Sequence, residues 1–593
     1  MRSVEVGTAP RVALTTTPGS TVSRVAAIVI DAAEWWYLER LLDEGRLPNL
    51  ARLRARSVEA RIETPQAFRS ELVWARFLHA AEPLEEREWP VCVTFDPATY
   101  RCGTNTASRR DPFFALGDGT KVVALDLIHS SPSTNVEGLQ VIGWGSHSPM
   151  WPRQSLPAGL LTEIDRRFGT NPAFGNDFDY GWHQPDFIDA LRRCCEVGVA
   201  RRVDITEWLL TERLPDWDLF VTCISEFHSV GHQLWHGVDE RHPLHGVAPT
   251  TEQAAATVAA VTEAVDAQLG RLLDILGDDT TVLLCSFHGF QPGDDVVGTV
   301  LMPELFQRLQ LGRGLLADPD QAAWRVAGCP PVLPAPDEHI GAYYVDRFAD
   351  SPKQRVRRAV RQTVPRSGFE LLRTLTRRPQ LAKLAEMAKP TPPETLEATD
   401  EILANYEKEP GYQVANWYRR HWPAMRWFAL PSFADGHVRI NLAGREANGV
   451  VPIEQYAAAL DEVEAVLRAC TDARTGEPIV ERFIRLMEDD PFAPDGPDCD
   501  LLVVFRGAPD AIDHPDVGTI GPHPHLRTSH HSADGFALVA GPGIERADLG
   551  TRPAVDLAAT VLALLGKDRT AAGESLLSTH RESTSHAASP VAT

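Results

Sequence analysis

Five side chains that could bind a metal ion stand at or near the ends of apolar segments. They are Asp31, His228, His232, His288 and His531. Carboxylates and neutral imidazoles are ligands that zinc takes in proteins. His228 and His232 are four residues apart, so on a helix they share one face and could hold one ion. Together, these residue types predict a metal centre rather than an acid–base pair.

Ser70 is the candidate nucleophile, because its hydroxyl comes just before an apolar helical stretch. An unassisted serine is a poor nucleophile, whereas a serine bound to a metal is activated. Without a metal, Ser70 would be an ordinary helix N-cap, and Asp31 taken alone could also be a cap. The neighbouring Arg69 is expected to be exposed.

Short apolar segments rich in β-branched residues predict the strands that position these side chains. They are VAAIVID (25–31), KVVALDL (121–127), DLFVTCIS (218–225), TVLLCSFH (281–288) and DLLVVF (500–505). Helical patterns separate them, most clearly at residues 254–276, where apolar residues recur every three to four positions. This alternation predicts an α/β fold with a largely parallel, doubly wound sheet, whose ligand sites lie beyond the carboxyl ends of the strands.

The chain between the fourth and fifth predicted strands departs from this strand–helix pattern and contains a Pro-rich link at residues 389–395. We interpret this region as an inserted cap. Both ends have few large apolar residues, so burial cannot offset their ordering entropy. The predicted divisions are disordered tails at 1–20 and 571–593, a core at 21–300 and 499–570, and a cap at 301–498.

Charge and hydropathy exclude several classes of function. The 58 Lys and Arg residues against 81 Asp and Glu give a formal net charge of −23, which disfavours nucleic acid polymers and anionic membrane surfaces as partners. No apolar run approaches the roughly 20 residues that span a bilayer, and the first residues lack a secretory pattern. We therefore expect a cytoplasmic protein that acts on a small molecule.

Taken in order, these motifs resemble the alkaline phosphatase superfamily and, within it, the type I phosphodiesterase/nucleotide pyrophosphatase branch. Asp31 resembles the first metal-binding aspartate, and SELVWARFLHA (70–80) resembles the nucleophile segment. HSVGH (228–232) is similar to the Asp-x-x-Gly-His signature and CSFHG (285–289) to the Ser-Asp-His-Gly signature.

The last motif of this resemblance is SHHSADGFALVAGPGI, similar to the segment that carries the final metal histidine. Its spacing to Gly535 selects His531 over His530. The resemblance implies a metal-dependent hydrolase of phosphate esters that uses one or two zinc ions. It further implies Ser70 as a nucleophile that becomes phosphorylated, one metal site from His228, His232 and His531, and a second from Asp31, Ser70 and His288.

Two substitutions depart from the family pattern. His228 stands where the family has an aspartate ligand, and Phe287 stands where the Ser-Asp-His-Gly signature has its aspartate. Histidine can replace a carboxylate on zinc, but phenylalanine cannot coordinate, so the second site loses a ligand. The departures leave two alternatives open. The chain could be a divergent single-zinc enzyme that does phosphoryl transfer or another metal-assisted reaction, with Glu226 or His288 as a base, or a catalytically silent binding protein.

A further branch of the superfamily, the sulfatases, needs a Cys or Ser followed by x-Pro-x-Arg. The residues after Ser70 are Glu-Leu-Val-Trp, which lack this motif. An ordinary sulfatase is therefore excluded.

Overall fold

The computed structural model describes residues 12–14, 24–64, 72–82, 93–104, 110–145, 152–174, 180–293, 295–336, 338–350, 356, 413–494, 496–567 and 571–579. The predicted nucleophile Ser70 and its neighbour Arg69 lie outside these residues. The roles assigned to both side chains therefore stay predictions.

The strands and helices of the described residues follow one another along much of the chain. The strands are β1 (Val12–Leu14), β2 (Val25–Ile30), β3 (Val58–Glu63), β4 (Val93–Asp96), β5 (Arg101–Thr104), β6 (Lys121–Leu127), β7 (Glu137–Ile142), β8 (Gln154–Leu156), β9 (Leu219–Ile224), β10 (Thr281–Ser286), β11 (Phe290–Pro292), β12 (Trp427–Leu430), β13 (Gly436–Ile440), β14 (Thr471–Asp472), β15 (Val480–Arg485), β16 (Leu501–Phe505), β17 (Ile512–His514), β18 (Gly518–Ile520), β19 (Ser529–His531), β20 (Asp534–Ala540), β21 (Ala547–Pro553) and β22 (Leu577–Thr579). The helices are α1 (Trp35–Asp43), α2 (Pro48–Arg54), α3 (Leu72–His79), α4 (Leu160–Phe168), α5 (Pro185–Trp208), α6 (Glu226–Leu234), α7 (Thr251–Leu276), α8 (Met302–Leu311), α9 (Gln321–Val326), α10 (Ile340–Arg347), α11 (Tyr456–Arg468) and α12 (Asp556–Leu564).

A nine-stranded sheet forms the centre of the fold, in the order β21-β3-β20-β10-β2-β9-β6-β7-β8. Neighbours within the stretch β10-β2-β9-β6-β7 are parallel. Strand β20 runs antiparallel to both β10 and β3. The sheet confirms the predicted α/β class with a largely parallel sheet.

Helices cover both faces of this sheet, as the side chains of β2 show. Ala26 and Ile28 join the apolar cluster of α5, α6 and α7, whereas Ala27 and Val29 join the cluster of α3 and α12. Successive side chains of a strand point to opposite faces, so a strand covered on both faces is apolar along its whole length. This burial explains why residues 25–31 could be recognised as a strand from sequence.

One edge of the sheet collects the predicted site residues. The parallel strands β2, β9 and β10 all end there, and they are followed by Asp31, helix α6 and His288. Strand β20 runs the other way and therefore begins at this edge, directly after β19 and His531. The short strands β11 and β19 pair with Phe290 opposite His531. Topology alone thus brings together segments from both ends of the predicted core.

Three strands of the region predicted as a cap join β16 in a second, separate sheet of four antiparallel strands, in the order β12-β13-β16-β15. Strand β16 pairs with β13 and β15 and does not enter the central sheet. The prediction that the core resumes at residues 500–505 was therefore wrong, because an apolar run indicates burial but not which strand it pairs with. The other predicted boundaries stay predictions.

Among the residues that the structure describes, the predicted tails contribute one pair of strands. Strands β1 and β22 are parallel, with Val12 opposite Leu577, so the predicted disorder was wrong for these two segments. The other residues of 1–20, and residues 580–593, lie outside the described part of the chain. Among the helices that the structure describes, none combines the length and the apolar character needed to cross a membrane. The cytoplasmic location stays a prediction.

Candidate metal centre

Three histidines converge at the carboxyl edge of the sheet. His228 and His232 lie one turn apart on α6, and His531 ends β19. One ring nitrogen of each lies within 4.8 Å of those of the other two, and all three side chains are buried. The structure thus brings together three of the predicted ligands, from two segments far apart in sequence.

The orientation of His232 suits a metal ligand. Its Nδ1 lies 3.1 Å from the carbonyl oxygen of Ser529, which can only accept, so Nδ1 donates the hydrogen bond. The neutral ring then has its lone pair on Nε2, which lies 3.1 Å from Nε2 of His228. Two nitrogens bound to a tetrahedral zinc at about 2.0 Å would be roughly 3.3 Å apart. The histidine donor set and the spacing of these two nitrogens therefore fit zinc.

Burial keeps His531 uncharged, as a metal ligand must be. Desolvation, followed by repulsion from the neighbouring histidines led by His288, holds the pKa of His531 well below its ordinary value. The rings of His531 and His288 stack, with centroids 4.0 Å apart and planes 6° apart. His288 is therefore directly beside the three converging histidines.

Asp31 and His288 form a second group at the same edge. Oδ1 of Asp31 lies 4.0 Å from Nε2 of His288, and both side chains are buried. Ser286 connects the turns that follow β2 and β10, because its hydroxyl donates to the carbonyl of His288 and accepts from the amide of Ala33. Asp31 thus approaches the histidine cluster through His288. The ligand roles of all five residues stay predictions.

Phe287 packs into the apolar cluster that α3 and α12 form on one face of the central sheet. Its ring lies 5.0 Å from the rings of both Trp74 and Phe77 on α3. The hydroxyl of Thr64 donates to the backbone carbonyl of Phe287. The position that carries an aspartate ligand in the related signature is therefore part of the hydrophobic core in this chain.

Phe290 is a site residue that the sequence analysis missed. Its ring packs against His232, with centroids 5.0 Å apart, and stacks on His531 at 5.5 Å. Gly231 makes this approach possible, since a Cβ at Gly231 would lie 2.0 Å from the Phe290 ring. The glycine of the HSVGH motif therefore leaves room for the aromatic ring that backs the histidines.

Glu34 is a second residue that was missed, although a carboxylate between Ala33 and Trp35 in an apolar segment was a visible signal. It is 3% exposed, and burial raises its pKa to about 7. One of its oxygens accepts hydrogen bonds from the amide of Phe290 and the hydroxyl of Ser532. Glu34 thus contacts segments next to His288 and His531.

Glu226 is bound through one oxygen in a buried ion network, and its role as a candidate base stays a prediction. Its Oε1 accepts from Arg202 and from Asn171, each at 3.0 Å. Arg202 is itself buried and also donates to Asp126 at 2.6 Å. The contact with Arg202 holds the first turn of α6 against α5.

Comparison with known proteins identifies the class to which this site is similar. Residues 111–363 match the sequence model of the type I phosphodiesterase / nucleotide pyrophosphatase family. The matched range contains His228, His232 and His288. This match confirms the resemblance to that branch of the alkaline phosphatase superfamily.

Solved structures resemble the chain over nearly its whole length, at low sequence identity. Phosphonoacetate hydrolase from Sinorhizobium meliloti 1021 is 12% identical, with 94% of this chain and 100% of that chain covered and a TM-score of 0.41. Murine ectonucleotide pyrophosphatase/phosphodiesterase 5 is 10% identical, with 93% and 96% covered and a TM-score of 0.41. The alkaline phosphatase PafA is 11% identical, with 94% and 99% covered and a TM-score of 0.42. A comparison with curated proteins found no match.

Proposed function

We propose that this chain is a metal-dependent hydrolase of phosphate esters, with zinc as the metal and Ser70 as the nucleophile. The strongest support is the set of three buried imidazoles whose ligand atoms lie within 4.8 Å of one another. The family match over residues 111–363 supports phosphoester hydrolysis over other zinc chemistry. The net charge of −23 favours a small substrate over a nucleic acid polymer.

The residues of the chain divide the work of this reaction. His228, His232 and His531 would hold the ion, and burial keeps the ring of His531 in the neutral form that coordinates. When bound, the ion supplies positive charge that stabilises the charge developing on phosphoryl oxygens. The oxygen of Ser70 would pass its proton to solvent water and form a bond to phosphorus, while the ester oxygen leaves with its electron pair and takes up a proton from water. Water would then hydrolyse the phosphoserine and restore the hydroxyl.

A single-zinc version of this enzyme is the second candidate, and the packing of Phe287 favours it. Because this ring lies among Trp74 and Phe77, the second group retains Asp31 and His288 without the aspartate of the related signature. Zinc sites normally use three or four protein ligands. The second ion would therefore be bound more weakly than the first and would be lost first on dialysis.

Metal analysis and turnover of the purified chain test both candidates. The protein would be dialysed, its zinc content measured by mass spectrometry, and its hydrolysis of bis(p-nitrophenyl) phosphate and p-nitrophenyl phosphate followed. We expect closer to one zinc than two per chain, and slow but zinc-dependent turnover. Two tightly bound zinc ions with fast turnover would support the ordinary two-metal enzyme over the single-zinc version.

The variant Ser70→Ala tests the nucleophile. Loss of a covalent nucleophile should lower turnover at least about a hundredfold, roughly 2.7 kcal/mol, and leave zinc content unchanged. Unchanged turnover would show that Ser70 is not the nucleophile. A wild-type protein that binds zinc and hydrolyses neither probe would indicate a binding protein.

A further inference from the structure

Glu34 occupies a position that links three turns of the site. It lies three residues after Asp31 and directly before helix α1. Its Oε2 accepts the amide hydrogen of Phe290 at 2.9 Å and the hydroxyl hydrogen of Ser532 at 2.9 Å. Phe290 is two residues after His288, and Ser532 directly follows His531. A single carboxylate oxygen therefore ties together segments that carry three of the predicted ligands.

The surrounding backbone adds to this connection. The amide of Ser532 donates to the carbonyl of Gly289 at 3.0 Å, and the amide of Gly289 donates to the hydroxyl of Ser532 at 3.2 Å. The Glu34 carboxylate lies directly against Gly289, where a Cβ would be 2.1 Å from Oε2. The glycine of the CSFHG motif thus leaves the space that the carboxylate fills.

We propose that Glu34 is a positioning residue that holds the turns of Asp31, His288 and His531 at one spacing and thereby sets the affinity of the metal centre. This inference rests on the proposed function, because it requires the histidines to bind metal. Groups that orient the residues of a metal site from outside its ligand set typically change metal affinity by about 10- to 100-fold when removed. Glu34 acts on the backbone of the ligand segments rather than on the ion.

The chain offers a matched control in Glu304. This carboxylate is also buried, and its Oε2 accepts amide hydrogens from Leu315 and Leu316 and a hydroxyl hydrogen from Tyr418. Its partners belong to the region around α8, which carries none of the predicted ligands. Removing Glu304 should therefore destabilise the fold without acting on the metal centre directly.

Zinc affinity and the absorption spectrum of the Co²⁺-substituted protein test the proposal. For Glu34→Ala, we expect the zinc Kd to rise about 10- to 100-fold and the visible Co²⁺ bands to shift as the ligand geometry relaxes. Glu34→Gln keeps an acceptor oxygen, and its neutral amide resembles the neutral carboxyl group that burial favours at this position. It should therefore retain most of the zinc affinity that Glu34→Ala loses. Glu304→Ala should lower the melting temperature and leave both the Kd and the Co²⁺ bands unchanged.

Each other outcome has a definite meaning. A folded Glu34→Ala protein with the zinc Kd and Co²⁺ bands of the wild type overturns the proposal and leaves the proposed function intact. Equal effects of Glu34→Ala and Glu304→Ala also overturn it, because the effect would then be general destabilisation. If Glu34→Ala does not fold, Ser532→Ala removes one of the two hydrogen bonds to Glu34 and should still raise the zinc Kd. An unchanged Kd of Ser532→Ala overturns the proposal. A wild-type protein that binds no zinc contradicts the proposed function itself, and the inference fails with it.

Discussion

The two halves of the candidate site differ in how completely they are built. His228, His232 and His531 present nitrogens within 4.8 Å of one another, and the orientation of His232 is set by a hydrogen bond to Ser529. In the other half, Oδ1 of Asp31 lies 4.0 Å from Nε2 of His288, whereas the nitrogens of His228 and His232 are 3.1 Å apart. Both halves lie at the same edge of one sheet, so the difference arises from the side chains and not from the fold.

This comparison shows how differently two substitutions in the same signature set affect a metal site. At residue 228 a histidine can serve in place of a carboxylate, and its ring faces His232. At residue 287 the aromatic ring instead joins the core next to α3. The position in one half thus carries a side chain that could bind a metal, whereas the position in the other half contributes to packing.

Removal of the central histidine should have the largest effect. We call the group of His228, His232 and His531 the complete half, and the group of Asp31 and His288 the incomplete half. His232→Ala deletes a predicted ligand from the complete half, so we expect the zinc Kd to rise more than about a hundredfold. This effect exceeds that of removing a residue that only supports the ligands. His437→Ala, a change at a buried histidine of the four-stranded sheet, is the control and should leave zinc binding unchanged. Zinc titration against a competing chelator measures both. Equal affinity of His232→Ala and the wild type would show that the three histidines do not form the site.

Restoring a carboxylate in the incomplete half should make the two halves more alike. Phe287→Asp should raise the zinc content from nearer one toward two per chain, measured by mass spectrometry after dialysis. The same change removes a buried ring from the α3 cluster, which by analogy with Phe→Ala changes costs about 3–5 kcal/mol of unfolding free energy. Phe287→Leu retains an apolar side chain and should keep the original zinc content. If Phe287→Asp binds no more zinc than Phe287→Leu, the missing carboxylate is not what limits the second half.

The pH dependence of stability should report the carboxylate that joins the two halves. Burial raises the pKa of Glu34 from 4.5 to about 7, so between these values the folded metal-free protein binds more protons than the unfolded chain. The stability that Glu34 contributes is complete below pH 4.5 and is lost as the pH rises through 7. Glu34→Gln cannot titrate, so its free energy of unfolding relative to wild type should increase with pH, by at most about 1.4 kcal/mol per pH unit. Denaturant unfolding of the two metal-free proteins between pH 4.5 and 8 measures this difference, and parallel curves would contradict it.

The smallest effect on zinc affinity is expected from the incomplete half. His288 stacks on His531 and is predicted to belong to the other half, so His288→Ala should raise the zinc Kd less than about tenfold, in contrast to His232→Ala. The same chelator competition measures it. A loss as large as that of His232→Ala would mean that His288 is a ligand of the first ion, and the division of the site into two halves would be wrong.

The sequence by itself determined the architecture of the core. Strands β2, β6, β9 and β10 coincide with apolar runs visible in the chain, because strands buried on both faces have no polar alternation. The helix predicted at residues 254–276 lies within α7. Since parallel strands end at one edge, the polar residues that follow them could be assigned to a common site before any contact was known.

Only the tertiary structure decided which side chains meet. The apolar run of β16 predicts a strand but cannot name its partners, because pairing depends on segments far away in the chain. Likewise, Glu226 is bound by Arg202 from another helix, a contact that no local pattern indicates. Glu34 stands out in the sequence as a carboxylate in an apolar segment, but its link between three turns exists only when β10 and β19 meet the end of β2. Residue types and spacing indicate which chemistry is possible, whereas burial and long-range contacts decide which residues are held in place to perform it.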